Sequence, residues 1–122
     1  MEDKIWDIDE RTFQFAVRII GMTRALPTKE TVSWILGKQI IRSGTSVNSN
    51  IIHAKSATSN KDFCYYLRVA LREARETKRW LEMIVAAGLI SKERMSFLIK
   101  ESDEIISILV TSVKKSDHNN NS

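Results

Sequence analysis

A row of basic side chains is the feature of this sequence with the clearest capacity for chemistry. It lies in the stretch KDFCYYLRVALREARETKRWLEMIVAAG, residues 61–88, and its members follow one another at intervals of four or three residues: Lys61, Tyr65, Arg68, Arg72, Arg75 and Arg79. On a helix, residues at such intervals share one face. A line of cations with one aromatic ring among them could follow a phosphate backbone while the ring stacks on a base. These six residues, here called the basic row, are therefore candidate contacts for RNA or DNA.

The same residues also fit the solvated outer face of an ordinary helix. Arg72 with Glu76, and Lys78 with Glu82, have the spacing of ion pairs one helical turn apart, which would neutralise part of the positive field. Exposed pairs of this kind contribute only about 0.3–0.5 kcal/mol each. The net charge of +4 permits attraction to nucleic acid without requiring it. On the sequence alone, both interpretations of the basic row stay open.

Apolar periodicity predicts the helices that must position this row. Apolar side chains recur at intervals of three and four almost throughout the 122 residues, and strand-like alternation is nearly absent. We expect a first helix that is capped by Asp9 and ended by Pro27, because the residue before a proline avoids helical angles. The stripe of this helix that faces the core is predicted to be Phe13, Ala16, Val17 and Ile20.

The second helix is expected to begin at Thr28 or Thr31 and to run to about Ala57. Gly44 lies near its middle, where glycine costs about 1 kcal/mol relative to alanine. Close approach of another helix would explain why a glycine is tolerated there. The predicted seam of the second helix is Leu36, Ile40, Gly44, Val47, Ile51 and Ala54.

The third helix carries the basic row and is expected to start after an N-cap at Ser59 and to end at Gly88, which suits a left-handed cap. Its predicted seam is Phe63, Leu67, Ala70, Ala74, Thr77, Leu81 and Ile84. Ser91 caps a fourth helix, and residues 117–122 form a polar tail that we expect to be disordered. Four amphipathic helices with short connections predict one all-α domain, residues 1–116, folded as an antiparallel up-down-up-down four-helix bundle.

Polar residues fall near the expected contact between the second and third helices. In an antiparallel hairpin that turns near Ala57, Arg42 would lie beside Glu73, and Asn50 beside Tyr66. We expect an interhelical network that fixes which helices pair rather than adding much stability, and its members are Arg42, Asn50, Glu73 and Glu76. A catalytic pair of carboxylates is the alternative, but no histidine or nucleophile stands at a suitable spacing.

Extra apolar residues on the first two helices predict a contact beyond the core of one bundle. Six of them are offset from the main seams: Phe15, Ile19, Met22, Trp34, Ile41 and Ile52. They could widen the boundary of the core or form a subunit interface, and we favour the interface of a homo-oligomer.

Several kinds of site and compartment are not expected. Cys64 is the only cysteine, so no internal disulfide can form, and a reducing cytoplasm is the natural compartment. His53 stands apart from other metal-ligand types and no glycine-rich phosphate loop exists, so we expect no metal, cofactor or small-molecule substrate. The longest apolar run, residues 83–90, is too short to cross a bilayer, and the acidic N-terminus lacks the features of a signal peptide.

The second and third helices also carry an ordered set of polar positions. In RSGTSVNSNIIHA, residues 42–54, an arginine precedes Ser-Val and then Ser-Asn-Ile; after it come Asp-Phe at 62–63, Leu-Arg-Val-Ala-Leu at 67–71 and the Glu-x-x-Glu-Thr-x-x-Trp-Leu stretch at 73–81. This arrangement resembles the family of four-helix-bundle proteins related to the 23S rRNA-intervening sequence protein, over about residues 10–115. Asn48 stands where that family commonly has a proline, and IIHA at 51–54 where it commonly has Ile-Ala-Glu-Gly.

This resemblance implies a bacterial, cytoplasmic protein that has no known catalytic activity and assembles with itself into a five-membered ring. Some relatives are encoded within intervening sequences of large-subunit rRNA genes, and distant relatives are accessory proteins of retroelement reverse transcriptases. The function we predict is that of a small, basic, non-enzymatic oligomer that binds RNA or DNA. The alternative is a structural or protein-interaction module, such as an accessory subunit of a reverse transcriptase, that does not itself touch nucleic acid.

Overall fold

The computed structural model describes the backbone of residues 2–121 and the side chains of residues 7–119. Within that range the chain forms four helices and no strand, as the sequence predicts: α1 (Glu2–Thr23), α2 (Thr31–Lys55), α3 (Asn60–Ala86) and α4 (Lys92–Asn121). None of these helices, as far as the described residues extend, is both long and apolar enough to span a bilayer.

Consecutive helices run antiparallel. The hydroxyls of Ser43 on α2 and Thr77 on α3 lie 2.9 Å apart, and further along α2 the ring of His53 meets that of Tyr66. Residue numbers therefore rise along α2 as they fall along α3. The same opposite order relates α3 to α4 and α1 to both α2 and α4. These contacts are those of an antiparallel up-down-up-down bundle.

The core lies where the seams predicted for α2 and α3 meet α1 and α4. A Cβ atom at Gly44 would lie only 3.1 Å from Cγ2 of Ile19 on α1, so the predicted close approach of another helix is confirmed. The large side chains that pack around this point are fully buried, and they include Ile40, Val47, Ile51, Leu67, Leu81, Ile84, Met95, Ile105 and Leu109.

The two ends of α3, the helix that carries the basic row, form as predicted. Oγ of Ser59 accepts a hydrogen bond from the backbone N–H of Asp62 at 3.1 Å, which caps the first turn. At the other end Gly88 has a φ of +75°. The backbone N–H of Leu89 then donates to the carbonyl of Ile84 at 3.1 Å, which closes the last turn.

α1 begins earlier than predicted, and Asp9 lies within it instead of capping it. The carboxylate of Asp9 accepts hydrogen bonds from Nζ of Lys55 at 2.6 Å and from Nδ2 of Asn48 at 3.1 Å, which ties α1 to α2. The same Asn48 amide lies 3.0 Å from Oγ1 of Thr12. The hydrogen bond from Lys55 lowers the pKa of Asp9, although partial burial acts in the opposite direction.

α1 meets the core with a face that only partly matches the predicted stripe, of which Ala16 alone is buried. Phe15 and Ile19, expected at a subunit interface, are 1% and 0% exposed and belong to the core, so they cannot contribute to an outer surface. Phe13, Val17 and Ile20, expected in the core, are instead 50%, 47% and 41% exposed. α1 is apolar round most of its circumference in this segment, so two stripes compete. The close fit of Ile19 against Gly44 belongs to the stripe that the fold uses.

α4 extends further than expected because its last turns pack against α3. Residues 117–121, expected as part of a disordered tail, continue the helix. Asp117 accepts hydrogen bonds from Sγ of Cys64 at 2.8 Å and from the guanidinium of Arg68, and Nδ2 of Asn60 donates to the carbonyl of Ser116 at 3.2 Å. Ser122, the last residue of the expected tail, lies outside the described residues.

Candidate nucleic-acid interface

Burial of one side of α3 places the basic row on the protein surface. The residues of α3 that face the core are fully buried: Leu67, Ala70, Ala74, Thr77, Leu81 and Ile84. The six members of the basic row are all exposed: Lys61, Tyr65, Arg68, Arg72, Arg75 and Arg79. At about 1.5 Å of rise per residue, the row extends about 27 Å along the helix. The structure therefore brings all six candidates together on one outward face.

The ion pairs of the basic row differ from those that the spacing predicts. Glu76 does not pair with Arg72, because it pairs with Arg42 of α2 instead. Lys78 contacts Oδ1 of Asp103 on α4 at 2.6 Å rather than Glu82. The partner of Glu82 is Arg79, at 3.1 Å.

The middle of the row consequently keeps more free charge than predicted. Arg68 pairs with Asp117, and Arg79, the last member of the row, pairs with Glu82. Between them, Arg72 and Arg75 form no ion pair with any side chain in the described range 7–119. Two exposed guanidinium groups one turn apart are thus available to a phosphate backbone.

The comparisons with known proteins agree with this architecture. A model of the family described as 23S rRNA-intervening sequence protein matches residues 4–111. The chain belongs to this family. Its structure is similar to the crystal structure of a protein of unknown function from the S23 ribosomal protein family of Bacteroides thetaiotaomicron, with 36% identity, a TM-score of 0.84, and coverage of 91% of this chain and 98% of that one. No protein with a curated description matches the chain.

Several polar positions that carry the likeness to the 23S rRNA-intervening sequence family form one network between α2 and α3. Nη1 of Arg42 donates to Oε2 of Glu73 at 3.2 Å, and Nη2 of Arg42 pairs with Glu76. The indole N–H of Trp80 donates to the same carboxylate of Glu76 at 3.2 Å. Asn50, which we expected in this network, lies apart from it, because its amide donates to the carbonyl of Ser46 within α2 at 2.8 Å.

A second group of ion pairs joins α1 to α4 away from the row. Nε of Arg11 contacts Oε2 of Glu101 at 2.8 Å, and Nη2 of Arg11 pairs with Glu104. The hydrogen bond from Arg11 lowers the pKa of Glu101, against the effect of partial burial. On α3, the hydrogen bond from Lys78 to Asp103 raises the pKa of Lys78, so its ammonium group stays charged.

An aromatic cluster beside the row was not predicted. His53, in the last turn of α2, stacks on Tyr66 with 5.2 Å between ring centroids and 29° between the ring planes. Tyr66 in turn contacts Tyr65 edge to face, at 5.2 Å and 73°. His53 thus takes the place opposite Tyr66 at which we expected Asn50, one turn away. The pair of adjacent tyrosines facing the end of α2 was the signal that could have indicated it.

Exposed apolar residues flank the junction of α1 and α2. Asp9 and Asn48 mark the sides of the two helices that touch. Phe13 and Ile20 follow Asp9 by four and eleven residues, and Ile52 and Trp34 stand four after and fourteen before Asn48, so all four lie on those same sides. With Val17, we call these the apolar rim: Phe13, Val17, Ile20, Trp34 and Ile52, each at least 41% exposed. Met22 and Ile41, also expected at an interface, are only half-buried.

No group of three or more histidine, cysteine, aspartate or glutamate side chains among the described residues could hold a metal ion. Cys64 is fully buried, and its burial raises the pKa of the thiol, which keeps it protonated and unreactive.

Proposed function

We propose that this protein is a non-enzymatic nucleic-acid-binding protein that contacts the phosphate backbone of RNA or DNA through the basic row of α3. The observation that carries the proposal is that Arg72 and Arg75 are exposed at the centre of that row without an ion-pair partner among residues 7–119. Unpaired cations on a rigid helix cost little reorganisation when they bind, because no salt bridge has to break first.

The physical consequence is binding that depends strongly on salt. Each cation that neutralises a phosphate releases a counterion, so the logarithm of the binding constant falls by about 0.7 per cation for each tenfold rise in salt on a single strand, and by about 0.9 on a duplex. Contacts to phosphate carry no sequence information directly, so little sequence preference is expected.

The proposal includes self-association, with five copies in a ring as the leading arrangement and the bacterial cytoplasm as the compartment. The apolar rim supports it, because several large apolar side chains left exposed on two adjoining helices are typical of an interface. The resemblance to the 23S rRNA-intervening sequence family implies the same arrangement. Copies arranged round a ring would repeat the basic row and add their positive fields.

The test is a double charge reversal at the centre of the row, Arg72→Glu with Arg75→Glu. The matched control reverses two exposed cations near the connection between α1 and α2, Arg24→Glu with Lys29→Glu, and so makes the same change in net charge. Fluorescence anisotropy of labelled 20-residue RNA and DNA probes is measured at several salt concentrations. We expect the row variant to lose most of its affinity and to reduce the salt slope on a single strand by about 1.4, because two phosphate contacts are lost.

Two results would overturn this function. One is the absence of binding by the wild-type protein at low salt, which would favour a protein-interaction module whose contact is the apolar rim. The other is an equal loss in the control variant, which would mean that net charge, and not the row, is responsible. Circular dichroism of both variants verifies that their helix content is unchanged.

A further inference from the structure

Tyr65 occupies a particular place within the basic row. Lys61 precedes it by four residues and Arg68 follows it by three, so a cation lies about one turn away on each side along the same face. The Tyr65 ring is 58% exposed. Half-buried Tyr66, not Tyr65, packs against the core, so the bundle does not need the ring of Tyr65 for its packing.

The neighbouring rings hold Tyr65 in place without hiding it. Tyr66 contacts it at 5.2 Å with 73° between the planes. Tyr66 is itself stacked against His53 at 5.2 Å. A contact between nearly perpendicular rings covers at most one face of Tyr65. The other face stays open to solvent, on a side chain whose freedom is already restricted, so stacking a ligand on it costs less entropy than stacking on an isolated ring.

From this geometry we infer that Tyr65, supported by Tyr66 and His53, is a stacking platform for an unpaired nucleobase, and that the ligand of the basic row is single-stranded nucleic acid. The inference rests on the proposed function, because the platform lies within the row that contacts phosphate. In a duplex both faces of each internal base are covered by its neighbours, and exposing one costs energy. A single strand offers its bases freely while its phosphates follow the flanking cations.

The experiment compares Tyr65→Leu with Tyr65→Phe in the full-length protein. Phe97 is a similarly exposed aromatic residue on α4, 55% exposed and outside the row, so Phe97→Leu is the matched control. The probes are labelled 12-nucleotide oligouridine and oligodeoxyuridine, which share the unpaired base and differ in the sugar, and a 12-base-pair duplex. Dissociation constants are measured by anisotropy at four salt concentrations.

We expect Tyr65→Leu to weaken single-strand binding by between about 5-fold and 150-fold, the range for loss of one base–aromatic stack. Stacking releases no counterions, so the salt slope should stay unchanged, in contrast to the charge-reversal variant. Tyr65→Phe and Phe97→Leu should bind single strands like the wild type, and none of the Tyr65 and Phe97 variants should change duplex binding by more than about 2-fold. The tighter of the two single strands identifies RNA or DNA as the preferred source of the base.

The outcomes separate the two proposals. If single strands bind, the Arg72 and Arg75 reversal abolishes binding, and Tyr65→Leu has no effect, the platform is refuted while the function of the row stands. Tighter binding of the duplex than of either single strand also refutes the platform. If no probe binds the wild type at the lowest salt, the proposed function itself fails, and the platform fails with it.

Discussion

The substitution Gly44→Ala tests how closely α1 and α2 approach. In an exposed or loosely packed helix interior this change stabilises by about 1 kcal/mol, because alanine is the better helix former. At Gly44, however, the new Cβ would lie 3.1 Å, 3.2 Å and 3.3 Å from Cγ2, Cγ1 and Cβ of Ile19. Ile19 is fully buried and has little room to withdraw. Overpacking of this kind costs about 1–3 kcal/mol.

The expected net effect is therefore a loss of between about 0 and 2 kcal/mol in the free energy of unfolding. Gly37→Ala is the matched control on the same helix, because its Cβ would meet Cδ1 of Leu26 at an ordinary 3.7 Å. The control should gain up to about 1 kcal/mol. The two variants should thus differ by about 1–3 kcal/mol, which corresponds to about 4–12 °C in melting temperature for a domain of this size.

A second arm isolates the contact with Ile19. Ile19→Ala removes both Cγ atoms and should by itself cost about 2–5 kcal/mol. In that background Gly44→Ala no longer meets the Cγ atoms, so it should be neutral or stabilising, a coupling of about 1–3 kcal/mol between the two sites. Urea unfolding followed by circular dichroism, at one protein concentration throughout, gives the changes in free energy of unfolding for the three single variants and for the double variant at Ile19 and Gly44. The packing described here would be refuted if Gly44→Ala stabilised the wild type as much as Gly37→Ala does.

Two further predictions concern acid stability and assembly. Because Lys55 lowers the pKa of Asp9, this pair contributes stability that is fully present above about pH 4 and is lost as the pH falls through the lower folded-state pKa. Asp9→Asn should therefore cost about 1–2 kcal/mol in the free energy of unfolding at pH 7. The deficit in melting temperature of this variant should shrink toward pH 2, and a deficit that stayed constant would contradict the linkage. On the apolar rim, Val17→Asp should reduce the mass measured by light scattering toward the 14.0 kDa of one chain. The control Val32→Asp, on another face of α2, should leave the mass unchanged. A wild-type protein that is already monomeric would exclude the rim as a subunit interface.

The seams of α2 and α3 could be predicted because each has one dominant apolar stripe, and Gly44 and Gly88 mark a close approach and a helix end by their chemistry. The face of α1 could not, since Phe13 and Phe15 begin two stripes of similar strength. Only the partner helix distinguishes them. Periodicity reports which positions share a face, but it does not report which of two apolar faces meets the other helices.

The outward direction of the basic row followed from the α3 seam, but its ion pairs did not follow from spacing. Glu76 lies one turn from Arg72, yet it pairs with Arg42 across the helix boundary. Spacing along one helix predicts only partners within that helix, whereas an exposed carboxylate can pair with any cation within reach. The free energies of these alternative ion pairs differ little. The cluster of His53 with Tyr66 was missed for the same reason, because it forms between helices.

The position of Glu76 has a consequence for the electrostatics of the whole surface. Arg42 and Trp80 hold its carboxylate on the α2 side of α3, and so an anion one turn from Arg72 is drawn away from it. Arg42, a residue of α2 outside the basic row, thereby sets how much net positive charge the row presents. Substitutions at Arg42 would lower the affinity of the basic row for polyanions without altering any side chain of the row itself.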